Sequence, residues 1–144
     1  MADARTYQEQ SAHDSLVRMM ANHFLTLGYL GILADLKGYN EPGLIWWTGR
    51  QQDAYRPDLI CTKNDSVGTQ IILEAETCES IGTEHTRRQW TLFSARAKQI
   101  GGEFHVVVPK LCLRNNQFIT GAALVAEVEA AWGITVHRKW WPSE

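Results

Sequence analysis

Apolar residues recur at helical spacing in three stretches of this chain, and at strand spacing or without interruption in several others. Leu16, Val17, Met20, Phe24 and Leu27 fall on one helix face, with Ser11 or Asp14 placed to cap it and Gly28 to stop it. A second helix opens at Thr83-Glu84 and runs to about Ile100, with Trp90, Phe93 and Ala97 at helical spacing and Gly101-Gly102 ending it. A third fits Phe118 or Gly121 to Trp132, and Gly133 stops it. Between the first two, apolar alternation around Gly31 to Leu36 and Leu44 to Thr48 flanks the turn-rich segment Lys37 to Gly43, which predicts a hairpin. Strands are predicted over Pro57 to Thr62 and Thr69 to Glu76, separated by the polar turn Lys63 to Gly68. Phe104 to Val108 is an unbroken apolar run closed by Pro109, the pattern of a strand buried on both faces, and Ile134 to Arg138 is a short last strand. Four strands thus stand between the first two helices, and within the whole succession the expected core order is αβββαβ followed by a further helix and strand, an α/β domain with a central mixed sheet and helices on both faces.

Three carboxylates interrupt the apolar pattern. Asp58 follows Pro57 at the head of one strand, while Glu74 and Glu76 sit in Ile71-Ile72-Leu73-Glu74-Ala75-Glu76-Thr77. Acidic residues are poor strand formers and costly inside a sheet unless partnered. Alternation puts Glu74 and Glu76 on the same side, roughly 7 Å apart, with Ala75 turned away. Joined by Asp58 from the neighbouring strand they form a compact anionic pocket, whose mutual repulsion calls for a cation or a proton. An all-oxygen cluster suits Mg²⁺ or Mn²⁺ rather than zinc. Taken singly, Pro-Asp is also common in turns, and two glutamates also suit the solvated face of an edge strand. The unbroken Ile71-Ile72-Leu73 argues instead for an interior strand.

Pro57-Asp58, then an apolar strand with Glu74-Ala75-Glu76, then a helix bearing Gln89 resembles the PD-(D/E)xK nuclease superfamily, the restriction-endonuclease-like fold. The family pattern is Pro-Asp, a variable gap, then Asp/Glu-x-Lys. This chain matches Pro57-Asp58 and Glu74 and carries Glu76 where lysine is usual, a departure that some metal-dependent members share. Gln89 with Phe93 four residues later resembles the Gln-x-x-x-aromatic helix motif of some members. The likeness spans about residues 10 to 110. It implies a restriction-endonuclease-like αβββαβ core and hydrolysis of phosphodiester bonds in nucleic acid, with DNA as the substrate. Mg²⁺ or Mn²⁺ would be held by Asp58, Glu74 and the Ala75 carbonyl. Glu76 would accept the attacking water's proton or help hold a second ion, Gln89 would complete the catalytic set, and Arg88 or Lys98 would meet transition-state charge. The absent lysine supports an alternative, a catalytically degenerate member of the fold that binds nucleic acid or a protein partner without cutting. A third option is a small oligomeric scaffold.

Composition narrows these choices. At 144 residues and 44% hydrophobic content, the chain is expected to form one domain over residues 1–144. A net charge of -2 gives no global attraction to nucleic acid, so such binding needs a local basic surface; Arg87, Arg88, Arg96 and Lys98 on the second helix offer one, although a solvated helix face is the plainer use. No apolar run is long enough for a membrane span and the polar start lacks an apolar leader region, so no membrane partner and a cytoplasmic location are expected. Cys61, Cys78 and Cys112 are odd in number and widely spaced, which predicts reduced, mostly buried thiols rather than a disulfide or zinc site.

The tryptophan doublets Trp46-Trp47 and Trp140-Trp141 cannot each face one side of a strand. Core packing plus a subunit contact, and so a homodimer, explains them; stacking on single-stranded bases is the other use. His13, followed by Asp14, is within reach of the active-site rim, as first-helix polar residues are in related folds, while a surface position at a helix start is its plainer place. His85, His105 and His137 show no ligand spacing. Neither a nucleophile elbow nor a Cys–His pairing is present, which argues against a serine or cysteine hydrolase.

Overall fold

A computed structural model describes residues 6–142, and the polar start Met1 to Arg5, on which the expected lack of a leader region rests, lies outside them. The elements are α1 (Tyr7–Thr26), β1 (Leu30–Ala34), β2 (Ile45–Trp47), β3 (Arg50–Tyr55), β4 (Leu59–Thr62), β5 (Gln70–Ala75), α2 (Glu84–Ile100), β6 (Glu103–Val107), β7 (Leu111–Arg114), β8 (Gln117–Thr120), α3 (Gly121–Trp132) and β9 (Arg138–Trp140). The fold is mixed α/β. A five-stranded mixed sheet runs in the order β1-β4-β5-β6-β9, with β1, β4 and β5 antiparallel in succession and β6 and β9 parallel to β5. No helix among the described residues is long and apolar enough to cross a membrane.

Strand alternation builds the core on both faces of the sheet. Ile71, Leu73 and Ala75 of β5 turn toward Val17, Met20 and Phe24 of α1, whereas Ile72 packs with Trp90 and Phe93 of α2 and Val125 of α3. Burial on both faces is why β5 and β6 read as nearly unbroken apolar runs.

Four expectations need correction. Thr6 caps α1 by accepting the Glu9 amide at 3.1 Å, so Ser11 and Asp14 lie inside the helix rather than at its start. Leu30–Ala34 and Ile45–Trp47 do not pair with each other. β1 joins β4 in the main sheet, while β2 pairs with the polar strand β3, whose Arg50-Gln51-Gln52-Asp53 shows no apolar alternation to betray it. Leu111–Arg114 and Gln117–Thr120 form a second hairpin; Asn115 and Asn116 both take positive φ, 51° and 63°, as a two-residue mirror-image turn requires. That hairpin absorbs Phe118, so α3 starts at Gly121. The last strand lies at Arg138–Trp140 because it is set by parallel pairing of His105 with Arg138.

The cysteines also differ from expectation. Cys78, just after β5, and Cys112 on β7 are joined as a disulfide, and only Cys61 is a free buried thiol. Burial pushes the Cys61 thiol up to about 12, so it is inert.

Candidate active site

The acidic pair is positioned by strand register. Leu59 of β4 pairs with Leu73 of β5, which sets Asp58 against Glu74 at the end of the antiparallel ladder. The Asp58 amide donates to Glu74 Oε1 at 2.9 Å, and the Ala75 amide donates to Asp58 Oδ2 at 2.8 Å. Both carboxylates are buried. Each is thus held by the other strand's backbone, and the cost of burying charge is partly offset.

α1 brings a third component. His13 Nε2 lies 3.0 Å from Asp58 Oδ2, and its Nδ1 lies 3.0 Å from Asp14 Oδ1, which also accepts from Gln10 Nε2 at 2.8 Å. Both ring nitrogens of His13 thus face carboxylates, and the ring bridges Asp14 to Asp58 and fixes the orientation of Asp58.

These groups open onto a cavity of about 350 Å³. Its acidic side chains are Asp14, Asp35, Asp58 and Glu74, and its fixed cations are Lys37 and Arg56. Burial, followed by the Asp58 and Glu41 carboxylates, raises Asp35 above its ordinary value. Arg56 is braced from behind, donating to the Pro42 carbonyl at 2.6 Å. From α2, His85 and Gln89 reach the same cavity, and their four-residue separation puts them on one helix face.

Asp58, Glu74 and Gln89, three of the residues expected from sequence, thus line a single cavity, and the Ala75 backbone adjoins it through its bond to Asp58. Glu76 does not line it. It lies just past the end of β5, only 1% exposed, and faces α2. Its Oε1 accepts the Ser80 hydroxyl at 2.6 Å with Thr86 Oγ1 at 3.3 Å, and its Oε2 accepts the Trp90 indole N–H at 3.1 Å. Arg88 lines a different cavity, one shared with the β2–β3 hairpin.

Sequence reasoning did not find Asp35, Lys37, Arg56, Gln10 or His85. For His85 the signal was its spacing from Gln89; Lys37 and Arg56 stand in turn-rich or loop sequence with no periodic pattern to mark them.

Among the described residues no group of three or more His, Cys, Asp or Glu is placed to hold a metal ion. Magnesium does not require such a cage, since it keeps several waters and commonly binds through one or two carboxylates plus substrate phosphate. Asp58 and Glu74 bring two carboxylates to one cavity. No family model matches the chain, and neither a curated protein nor a solved structure matches it.

Proposed function

We propose that the protein is a metal-dependent nuclease of the PD-(D/E)xK type that hydrolyses phosphodiester bonds in DNA. The observation that carries this is the reciprocal pair: Asp58 and Glu74, each bonded by the other strand's backbone, in one cavity with Gln89. Supporting it, the succession α1, β1, β4, β5, α2, β6 follows the αβββαβ order of the restriction-endonuclease-like core, with the β2–β3 and β7–β8 hairpins inserted and α3 and β9 appended.

Asp58, Glu74 and the Ala75 carbonyl would hold Mg²⁺ or Mn²⁺. When bound, the ion supplies Lewis-acid polarisation of the phosphate and neutralises charge that develops on it. The chain's own residues do the rest. His13, clamped between Asp14 and Asp58, keeps the Asp58 carboxylate in one orientation. Lys37 and Arg56, which line the same cavity, supply the positive charge that the motif lysine provides in the resembled family. His85 and Gln89 face the cavity from α2, where hydrogen bonds to a water or a phosphate oxygen orient the reactants. Glu76 is a positioning residue, tying the turn after β5 to α2 and so keeping Glu74 and Gln89 in register.

The test is cleavage of single-stranded, double-stranded and branched DNA by the full chain with Mn²⁺ or Mg²⁺. Cleavage that Asp58→Ala abolishes, with the circular dichroism spectrum unchanged, is the expected result. Glu76 in the lysine position favours the second possibility, a degenerate member that binds nucleic acid without cutting. A protein inert on every DNA and RNA substrate with either ion overturns the enzyme and leaves that binding module.

A further inference from the structure

A second cavity, of about 340 Å³, opens between the β2–β3 hairpin and the first half of α2. Its chemistry is opposite to that of the acidic cavity. Two aromatic rings, Trp47 and Tyr55, stand with three guanidinium groups, Arg50, Arg87 and Arg88, against the single carboxylate of Asp53. Arg50 pairs with Asp53 at 2.6 Å and Arg87 with Glu84 at 2.8 Å, while Arg88 makes none of the described ion pairs. The groove is therefore locally basic in a chain whose net charge is -2. The doublet's alternation leaves both indoles accessible: Trp47 is 38% exposed in this groove, and Trp46, 44% exposed, joins Arg96 in another cavity farther along α2.

The groove adjoins the acidic cavity. Tyr55 packs edge-on against His85, with ring centroids 5.6 Å apart, and His85 lines the acidic cavity. Arg56 and Gln89, also in that cavity, directly follow Tyr55 and Arg88 in the chain.

We propose that this groove binds an unpaired stretch of DNA, with Trp47 and Tyr55 stacking on bases and Arg50, Arg87 and Arg88 meeting phosphates. Aromatic rings stack on base faces only where the strand is unstacked, and a duplex hides those faces. Basic groups tracking a backbone beside stacking rings are the general composition of single-strand sites. The groove would feed the neighbouring phosphodiester toward Asp58 and Glu74, and in that direction of delivery the proposal rests on the nuclease assignment above.

Binding is tested without cleavage. Fluorescence anisotropy of a labelled oligo(dT) is measured with the full chain in EDTA, against duplex DNA and an RNA oligonucleotide of the same sequence. Trp47→Ala is expected to weaken single-strand binding about ten-fold, the usual scale for one stacked base, and Trp47→Phe to restore most of it. Arg88→Gln should reduce the slope of log affinity against log salt by about 0.7, a slope that Trp47→Ala leaves unchanged. Wild-type affinity in both Trp47→Ala and Arg88→Gln overturns the proposal, as does equal binding of the duplex or tighter binding of RNA. Loss of binding in Trp47→Ala with no cleavage under any condition removes the nuclease assignment and keeps the groove. Cleavage with unaltered binding in the groove variants does the reverse.

Discussion

Replacing Glu76 with lysine would give the chain the Glu-x-Lys pattern of the superfamily it resembles, yet the surroundings of Glu76 forbid it. The carboxylate is 1% exposed and accepts from the Ser80 hydroxyl at 2.6 Å and the Trp90 indole at 3.1 Å. Hydrogen bonds to a charged group contribute about 1.5–3 kcal/mol each, so losing these two costs about 3–6 kcal/mol. An ammonium cannot accept the indole N–H of fully buried Trp90, and stranding that donor adds about 1–3 kcal/mol. The sum, about 4–9 kcal/mol, is comparable with the about 5–15 kcal/mol that holds a typical domain together. Glu76→Lys is therefore expected to unfold the protein or leave it barely folded. Glu76→Gln keeps one oxygen for the indole, and the Ser80 hydroxyl can turn to accept from the new amide, so its cost is about 1–2 kcal/mol. Urea denaturation at neutral pH measures both, read as a shift of midpoint at constant slope. A Glu76→Lys protein with the wild-type midpoint and faster cleavage would refute the positioning role and make position 76 an ordinary site of the motif lysine.

Three further outcomes follow from the structure. Reducing the Cys78–Cys112 disulfide, which spans 34 residues, should cost about 4 kcal/mol by the chain-entropy relation and lower the melting temperature, and an unchanged melting curve in reductant contradicts the pairing. Burial pushes His105 from 6.5 down to about 4, and Trp140 Nε1–H, donating to His105 Nδ1 at 3.0 Å, favours the neutral ring; the unfolded chain therefore binds the extra proton first, and about 3 kcal/mol of stability should be lost as pH falls from about 6.5 to 4. A stability profile flat across that window, measured by denaturation at successive pH values, contradicts a neutral His105. Lys37→Met should lower the cleavage rate by about 100-fold with an unchanged melting temperature, since the side chain is exposed and lines the cavity; wild-type turnover would remove its electrostatic role.

Legibility in the sequence followed the range of the interaction. Asp58 and Glu74 were readable because the signals are local: a Pro-Asp at a strand head and a carboxylate closing the apolar run Ile71-Ile72-Leu73, on strands joined by a short polar turn. Alternation puts Glu74 and Glu76 on one face but cannot tell where each carboxylate leads. Glu74 meets the Asp58 amide, whereas Glu76 lies past the strand end and meets a turn that folds Ser80 back onto it. The contact of His13 with Asp58 crosses 45 residues and depends on how α1 packs on the sheet, so only the nearness of the first helix to the site hinted at it. The cysteine pairing was hidden for a related reason. Cys112 reaches Cys78 on a hairpin whose strand Gln117–Thr120 is mostly exposed, and so the hairpin leaves no buried stripe in the pattern.

Binding of a divalent cation by Asp58 and Glu74 is tested most directly by a Mn²⁺ titration followed by thermal unfolding, on the wild type and on Glu74→Gln. The substituted amide would still offer an oxygen to the Asp58 backbone N–H, so the change removes charge and leaves the strand contact in place. A ligand that binds only the folded state stabilises it by about 2.7 kcal/mol at a hundred-fold excess over its dissociation constant, which at this chain length is a rise of roughly 5–10 °C. Wild type should show that saturable rise, and Glu74→Gln should lose it while melting at least as high as the metal-free wild type. A wild-type protein with no rise, or a Glu74→Gln protein that retains all of it, would contradict a metal site built on Asp58 and Glu74.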